Sequence, residues 1–206
     1  MNFYERHVLP RLIDFAMRAK AAAAERQKRV PDAAGVVVEI GVGSGLNFPV
    51  YGPHVARVIG IDPSPKLLGM ARARAGDARC PVELLESSAE AVPLPDGSAD
   101  TVLTTWTLCS IAQPERALRE MKRLLKPGGR LVFIEHGRAP DAGVRAWQDR
   151  LTPWWRGVAG GCELNRDIPA LLARAGFSIS ELEQSYSAEG PRPFSYLYRG
   201  VAGIEA

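Results

Sequence analysis

Apolar residues along this chain fall into short continuous runs separated by stripes at helical spacing. Val36-Val37-Val38 runs through Glu39 and Ile40 into a glycine turn, and a short β-branched run of this kind reads as a buried parallel strand. Comparable runs recur at 57–62, 82–85, 101–105 and 130–134. Between the second and third, Ser64 is a good N-cap and Pro65 suits a first helical position, predicting a helix to about Ala75 that Gly76 ends. Pro114 opens another helix through Leu125, with Ala117, Leu118, Met121, Leu124 and Leu125 as its buried stripe, and Lys126-Pro127-Gly128-Gly129 breaks it. Strands alternating with helices predict a parallel sheet with right-handed crossovers.

Both ends depart from this rhythm. Residues 3–28 read as helical, with Phe3, Val8, Leu12, Phe15 and Ala19 near one face, Pro10 marking a first turn or a kink, and Pro31 and Gly35 closing the segment. Residues 139–161 hold Trp147, Trp154 and Trp155 among several glycines. A helix is expected from about Arg166 to Ala175, capped by Asn165 and ended by Gly176. Ser178 to Val201 reads as two strands around Gly190-Pro191-Arg192-Pro193.

The 206 residues suffice for one α/β domain, and a hydrophobic content of 46% with 24% charged residues is ordinary for a soluble protein. A net charge of +3 gives no case for nucleic acid. The basic bias between Arg18 and Arg29 reads as a solvated helix face, or as weak peripheral contact with anionic lipid. Cys80, Cys109 and Cys162 show neither metal-type spacing nor a disulfide framework, so no metal is expected and a reducing cytoplasm is the natural setting. The first residues do not form a signal peptide, and no apolar run is long enough to span a bilayer.

The chemistry centres on Glu39-Ile40-Gly41-Val42-Gly43-Ser44-Gly45. Asp62 ends the next strand 21 positions after Gly41, about where a βαβ unit presents an acid to a ribose diol. A dinucleotide fingerprint would need a third glycine where Leu46 stands, and Glu39 would repel a pyrophosphate. A cationic nucleoside is therefore favoured over a dinucleotide, although a glycine turn can also close a strand with no ligand at all.

Glu39 to Gly45, Asp62, Ser88-Ala89-Glu90, Pro93 to Asp100 and Lys126 to Gly129 stand in the order and spacing of the class I S-adenosylmethionine-dependent methyltransferases, which this chain resembles over residues 35–138. The resemblance implies an α/β fold with a single doubly wound, mostly parallel sheet, an N-terminal helical cap and a C-terminal antiparallel hairpin. One domain is expected over residues 1–206, divided into a cap (1–34), a cofactor-binding core (35–138), an acceptor-side lid (139–165) and a C-terminal helix with hairpin (166–206). The resemblance also implies S-adenosylmethionine as cofactor and S-adenosylhomocysteine as product. Its contacts would be Glu39, Gly41, Gly43, Gly45, Asn47, Asp62, Pro63, Ser88, Ala89, Glu90, Thr105 and Leu108.

Thr107-Leu108-Cys109-Ser110, Ile134-Glu135-His136 and Gly161 to Asp167 resemble the alkyl-thiol methyltransferases more closely, a group that grades into quinone and phospholipid methyltransferases. The N-terminal membrane anchor of the animal thiol enzymes has no counterpart here, so membrane residence is not carried over. The expected acceptor is small and hydrophobic, leaning to a thiol, with Tyr4, Trp154, Trp155, Cys162 and Asn165 around it and His136 as the base. Methylation of nitrogen, oxygen or carbon in a lipid head group, quinol or amine is the alternative chemistry. A module that binds the cofactor without turnover is the alternative of another class. No tetrapeptide typical of nucleic-acid methyltransferases occurs.

Overall fold

The structure is a computed structural model that describes residues 3–204, so the outermost two positions of the expected domain at each end lie outside the described residues. Seven strands form one sheet: β1 (Gly35–Ile40), β2 (Val55–Asp62), β3 (Val82–Glu86), β4 (Ala99–Thr105), β5 (Leu125–His136), β6 (Phe177–Tyr186) and β7 (Tyr196–Ile204). Their spatial order is β3-β2-β1-β4-β5-β7-β6. Only β7 runs against its neighbours, pairing antiparallel with β5 on one side and β6 on the other. The doubly wound sheet and the C-terminal hairpin are thus present as expected.

Alternation along the strands feeds two hydrophobic layers. Val38, Ile40, Ile59, Ile61 and Phe133 face one layer, while Val37, Val58, Leu103 and Val132 face the other. The strand order reverses between β1 and β4, which are neighbours in parallel register with Glu39 opposite Leu103. A crevice at the carboxyl ends of the strands flanking such a reversal is where open α/β sheets hold ligands.

The helices are α1 (Leu9–Met17), α2 (Lys20–Arg29), α3 (Pro65–Arg74), α4 (Pro114–Leu124), α5 (Ala142–Val158) and α6 (Ile168–Arg174). The expected N-terminal helical segment is a π turn (Tyr4–Val8) followed by two helices: Pro10 stands in the first turn of α1, and a second break comes where Ala19 turns to an extended ψ of 143°. Its expected apolar face is largely outward: Phe3 and Phe15 are 76% and 79% exposed. The side that docks carries Leu9, Pro10 and Asp14, and Asp14 is fixed by Arg18 at 2.6 Å and Arg74 at 2.8 Å.

Three further boundaries differ. β5 starts at Leu125 rather than Arg130, running through the Lys126–Gly129 segment with a register shift between Ala99 and Thr101. Lys126 Nζ is tied to Asp100 at 2.8 Å. Asp167, not Asn165, caps α6, its carboxylate accepting the Ala170 N–H at 3.1 Å. The tryptophan-rich segment is the 17-residue helix α5, which carries Pro153 within it.

Candidate functional site

Glu39 is the penultimate residue of β1, with its carboxylate fully enclosed. Asn47 Nδ2 donates to it at 2.7 Å and Tyr51 Oη at 2.6 Å. Burial pushes the Glu39 carboxyl up to about 7, although Tyr51, Asn47 and the charge of Arg26 all pull it down. Asn47 also donates to Thr105 Oγ1 at 3.1 Å, joining the carboxyl ends of β1 and β4. Its own Oδ1 is buried without a partner, and an enclosed acceptor left unmet is costly unless a ligand donates to it.

The glycine turn between β1 and Asn47 is left-handed at Gly41 (φ 73°), Gly43 (56°) and Gly45 (81°). A Cβ at Gly45 would stand 2.5 Å from the Phe48 ring, and one at Gly41 would strike the Thr107 side chain. These two glycines therefore make room for the protein's own side chains, while Gly43 has open space around it. Gly43 N–H donates to Asp62 Oδ2 at 3.0 Å and Ser64 N–H to Oδ1 at 2.8 Å. Burial still holds the Asp62 carboxyl above the usual carboxylate range. The neighbouring Pro63 is exposed.

The Ser88–Glu90 loop joins this edge through Ser87 N–H, which reaches the Asp62 carbonyl at 3.3 Å. Within it Ser88 Oγ donates to Glu90, and Ala89 packs partly against the core. The Leu108 side chain is wholly buried in the hydrophobic core.

At the end of β5, His136 is buried, with Nδ1 4.0 Å from Cys162 Sγ and Nε2 enclosed without a partner. Cys162 in turn lies 3.8 Å from Cys109 Sγ. Trp155 packs on Phe194 with ring centroids 4.7 Å apart. Trp154 does not join an enclosed wall, being 62% exposed. Asn165 Nδ2 donates to Asp149 at 2.7 Å, and Tyr4 Oη to the Val158 carbonyl at 2.7 Å, so both fasten α5 to its surroundings.

Two further side chains shape this region: Glu135, named above only as part of a motif, and Gln148, which a reading of the chain does not single out. Glu135 is completely buried and orders the loop after β4, accepting from Thr104, from Thr107 N–H at 3.1 Å and from Cys109 N–H at 3.3 Å. Gln148 on α5 bonds the carbonyls of Gly137 at 3.0 Å and Pro193 at 3.1 Å and accepts from Ala139 N–H at 2.9 Å, fixing the exit from His136.

Arg26 departs from the solvated basic face expected of it. It is buried, its guanidinium 5.0 Å from the centre of the Trp106 ring and 2.8 Å from the Met17 carbonyl. Among the described residues no carboxylate forms an ion pair with it, and its Nε has no partner. Burial pushes its pKa down to about 10, with the Glu39 charge opposing. Trp106 beneath it is held at φ 50°, rare for a side chain of that size.

The carboxyl ends of these strands thus carry a buried carboxylate and amide at Glu39 and Asn47 and, over Trp106, a buried guanidinium with no ion-pair partner among the described residues. Asp62 lies one strand away and an imidazole two strands away. A zwitterionic amino acid joined to a ribose matches these charges.

The profile of the methyltransferase domain family matches residues 38–133. Human thiol S-methyltransferase TMT1A is 36% identical over 169 residues, covering 79% of this chain and 69% of the relative. A demethylmenaquinone methyltransferase of Thermus thermophilus is 34% identical over 142 residues, covering 60% and 64%. The chain spans about two-thirds of the length of the curated relatives it matches first. Among solved structures, an S-adenosylmethionine-dependent methyltransferase from Thermotoga maritima superposes with a TM-score of 0.69 at 24% identity, covering 97% of this chain and 99% of the other.

Proposed function

The chain belongs to the S-adenosylmethionine-dependent methyltransferases, and from that premise we propose that it methylates the sulfur of a small hydrophobic thiol by direct in-line transfer. Bound S-adenosylmethionine supplies a methyl group already activated on a sulfonium. Glu39 and Asn47 Oδ1 would take the ammonium of its methionine part, Arg26 the carboxylate, and Asp62 the ribose hydroxyls. The backbone at Gly43, with open space around it, would run beside the ligand, and the Ser88–Glu90 loop would serve the adenine.

The observation that carries the acceptor reading is the buried His136, whose Nε2 has no partner. A thiol has an ordinary pKa of about 8.5, within reach of an imidazole near 6.5. His136 Nε2 would accept the thiol proton, leaving a thiolate to take the methyl group that the bound donor would supply. Most of the acceleration comes from holding sulfur and carbon about 3–3.5 Å apart with water excluded. Residues 139–165 supply the acceptor side, through Trp155 and the loop at Cys162.

Labelled donor offered to a panel of thiols, phenols, quinols, amines and lipids tests this directly. Turnover of aliphatic thiols is expected, and turnover confined to the other acceptors would end the thiol reading. His136→Ala should lower turnover of an aliphatic thiol by about 10²–10⁴-fold. The loss should be smaller for an aromatic thiol already ionised near neutral pH, and affinity for S-adenosylhomocysteine should barely change. The likeness to the Thermus quinone enzyme favours a quinol as second reading, which the same panel separates.

A further inference from the structure

We propose that Cys109 and Cys162 form an oxidant-sensitive pair that closes to a disulfide when a peroxide reaches Cys162, shutting the acceptor corner beside His136. Only the effect on turnover rests on the acceptor reading above; the bridge itself rests on the geometry of the two thiols.

The sulfurs stand 3.8 Å apart, and a disulfide needs about 2.05 Å, a gap that small side-chain rotations span once the backbones are adjacent. They are adjacent: Glu163 N–H donates to the Cys109 carbonyl at 2.8 Å, clasping the Cys162 loop to the loop after β4. Gly161, at φ 88°, lets the chain pass close to Ser110, whose carbonyl oxygen would lie 2.8 Å from a Cβ there.

Exposure divides the roles. Cys162 is partly open to solvent and Cys109 is buried behind it. The Cys109 thiol donating to its sulfur lowers the Cys162 pKa, against desolvation, and His136 lowers it further. The same pairing and burial raise Cys109. A thiolate in front of a protonated resolving thiol is the arrangement redox-sensitive cysteines use. Cys80 packs in the opposite hydrophobic layer and its thiol is raised by burial, so it takes no part.

The chemistry closes with peroxide as oxidant. The Cys162 thiolate attacks one peroxide oxygen, the O–O bond breaks, and sulfur is oxidised to the sulfenic acid while hydroxide leaves. Cys109 sulfur then attacks Cys162 sulfur. An S–S bond forms, the S–O bond breaks, and the departing hydroxide takes the Cys109 proton and leaves as water. Two thiols and one peroxide give one disulfide and two waters. The bridge fixes the Cys162 loop against the loop after β4 and removes the sulfur facing His136 Nδ1 as a free thiolate.

The test uses the full chain as Cys80→Ser, treated with graded hydrogen peroxide, alkylated and mapped by mass spectrometry. The expected result is a Cys109–Cys162 linked peptide lacking two hydrogens, reversed by dithiothreitol, with thiol turnover lost and regained in step and S-adenosylhomocysteine affinity kept. Cys109→Ser should form no bridge and leave Cys162 captured by dimedone as the sulfenic acid; Cys109→Ala gives the same readout if serine disturbs the core. Two freely alkylated cysteines after peroxide, or Cys162 passing to sulfinic acid without a bridge, would overturn the pair. A bridge with undiminished turnover would overturn the closure. A protein that methylates no thiol before oxidation refutes the acceptor reading instead, and the linked peptide still decides the bridge.

Discussion

Glu39 and Arg26 are both buried, and the charge of each acts on the other. With its carboxyl at about 7, Glu39 is largely protonated in acid, and a neutral acid cannot pair with an ammonium. Ligand binding should therefore release a proton near pH 6 and none near pH 8, as titration calorimetry in buffers of different ionisation heat would show; Glu39→Gln should abolish the difference. The same shift has a stability consequence. A carboxyl raised from 4.5 to about 7 on folding binds more protons in the native state between those values, so the free protein should lose stability as pH rises through that window. Thermal melts should show cofactor stabilising the protein more at pH 8 than at pH 5. Arg26→Ala should weaken S-adenosylhomocysteine by about 2 kcal/mol or more, roughly thirtyfold. It should leave 5′-methylthioadenosine unaffected, since that nucleoside carries no carboxylate; equal losses for both would assign Arg26 to packing.

Among the elements, α5 bears most on the proposed acceptor side, and one side chain docks it. Gln148 is fully buried and bonds three backbone groups around the exit of β5. Gln148→Ala strands those groups, so unfolding free energy should fall by about 2–4 kcal/mol, with thiol turnover dropping more steeply than cofactor affinity. None of this was readable from the chain, because Gly143, Pro153 and Gly157 punctuate the segment and hide its helical period. Strand ends were legible for the opposite reason. Glu39, Gly41, Gly45 and Asp62 are placed by runs and turns that local sequence determines. The N-terminal stripe had the right period but the wrong side, since docking through Leu9 and Asp14 depends on partners far along the chain. The burial of Arg26 is illegible for the same reason: its neighbours in sequence are basic, and Trp106 comes beneath it only in the fold.

At the scale of the molecule, α2 is locked to the sheet by a buried ion pair between Glu25 and Arg199 of β7, extended by Arg199 to Glu183 at 3.3 Å and to Ser185 at 3.0 Å. Removing one partner leaves the other charge enclosed, so Glu25→Ala should cost about 3–5 kcal/mol, and the double change Glu25→Leu, Arg199→Met should recover much of it. Chemical denaturation measures both. Because α2 also carries Arg26, loosening this lock should weaken cofactor binding in Glu25→Ala beyond what its lost stability alone requires. The placement of Arg26 over an indole has an optical outcome. Trp147 and Trp154 lie mostly in solvent, whereas Trp106 sits under a cation. Drawing that cation towards a carboxylate changes the electric field across the ring, so emission from Trp106 should shift in colour and intensity as the crevice fills. Trp106→Phe should silence the signal, giving a titration that needs neither label nor turnover.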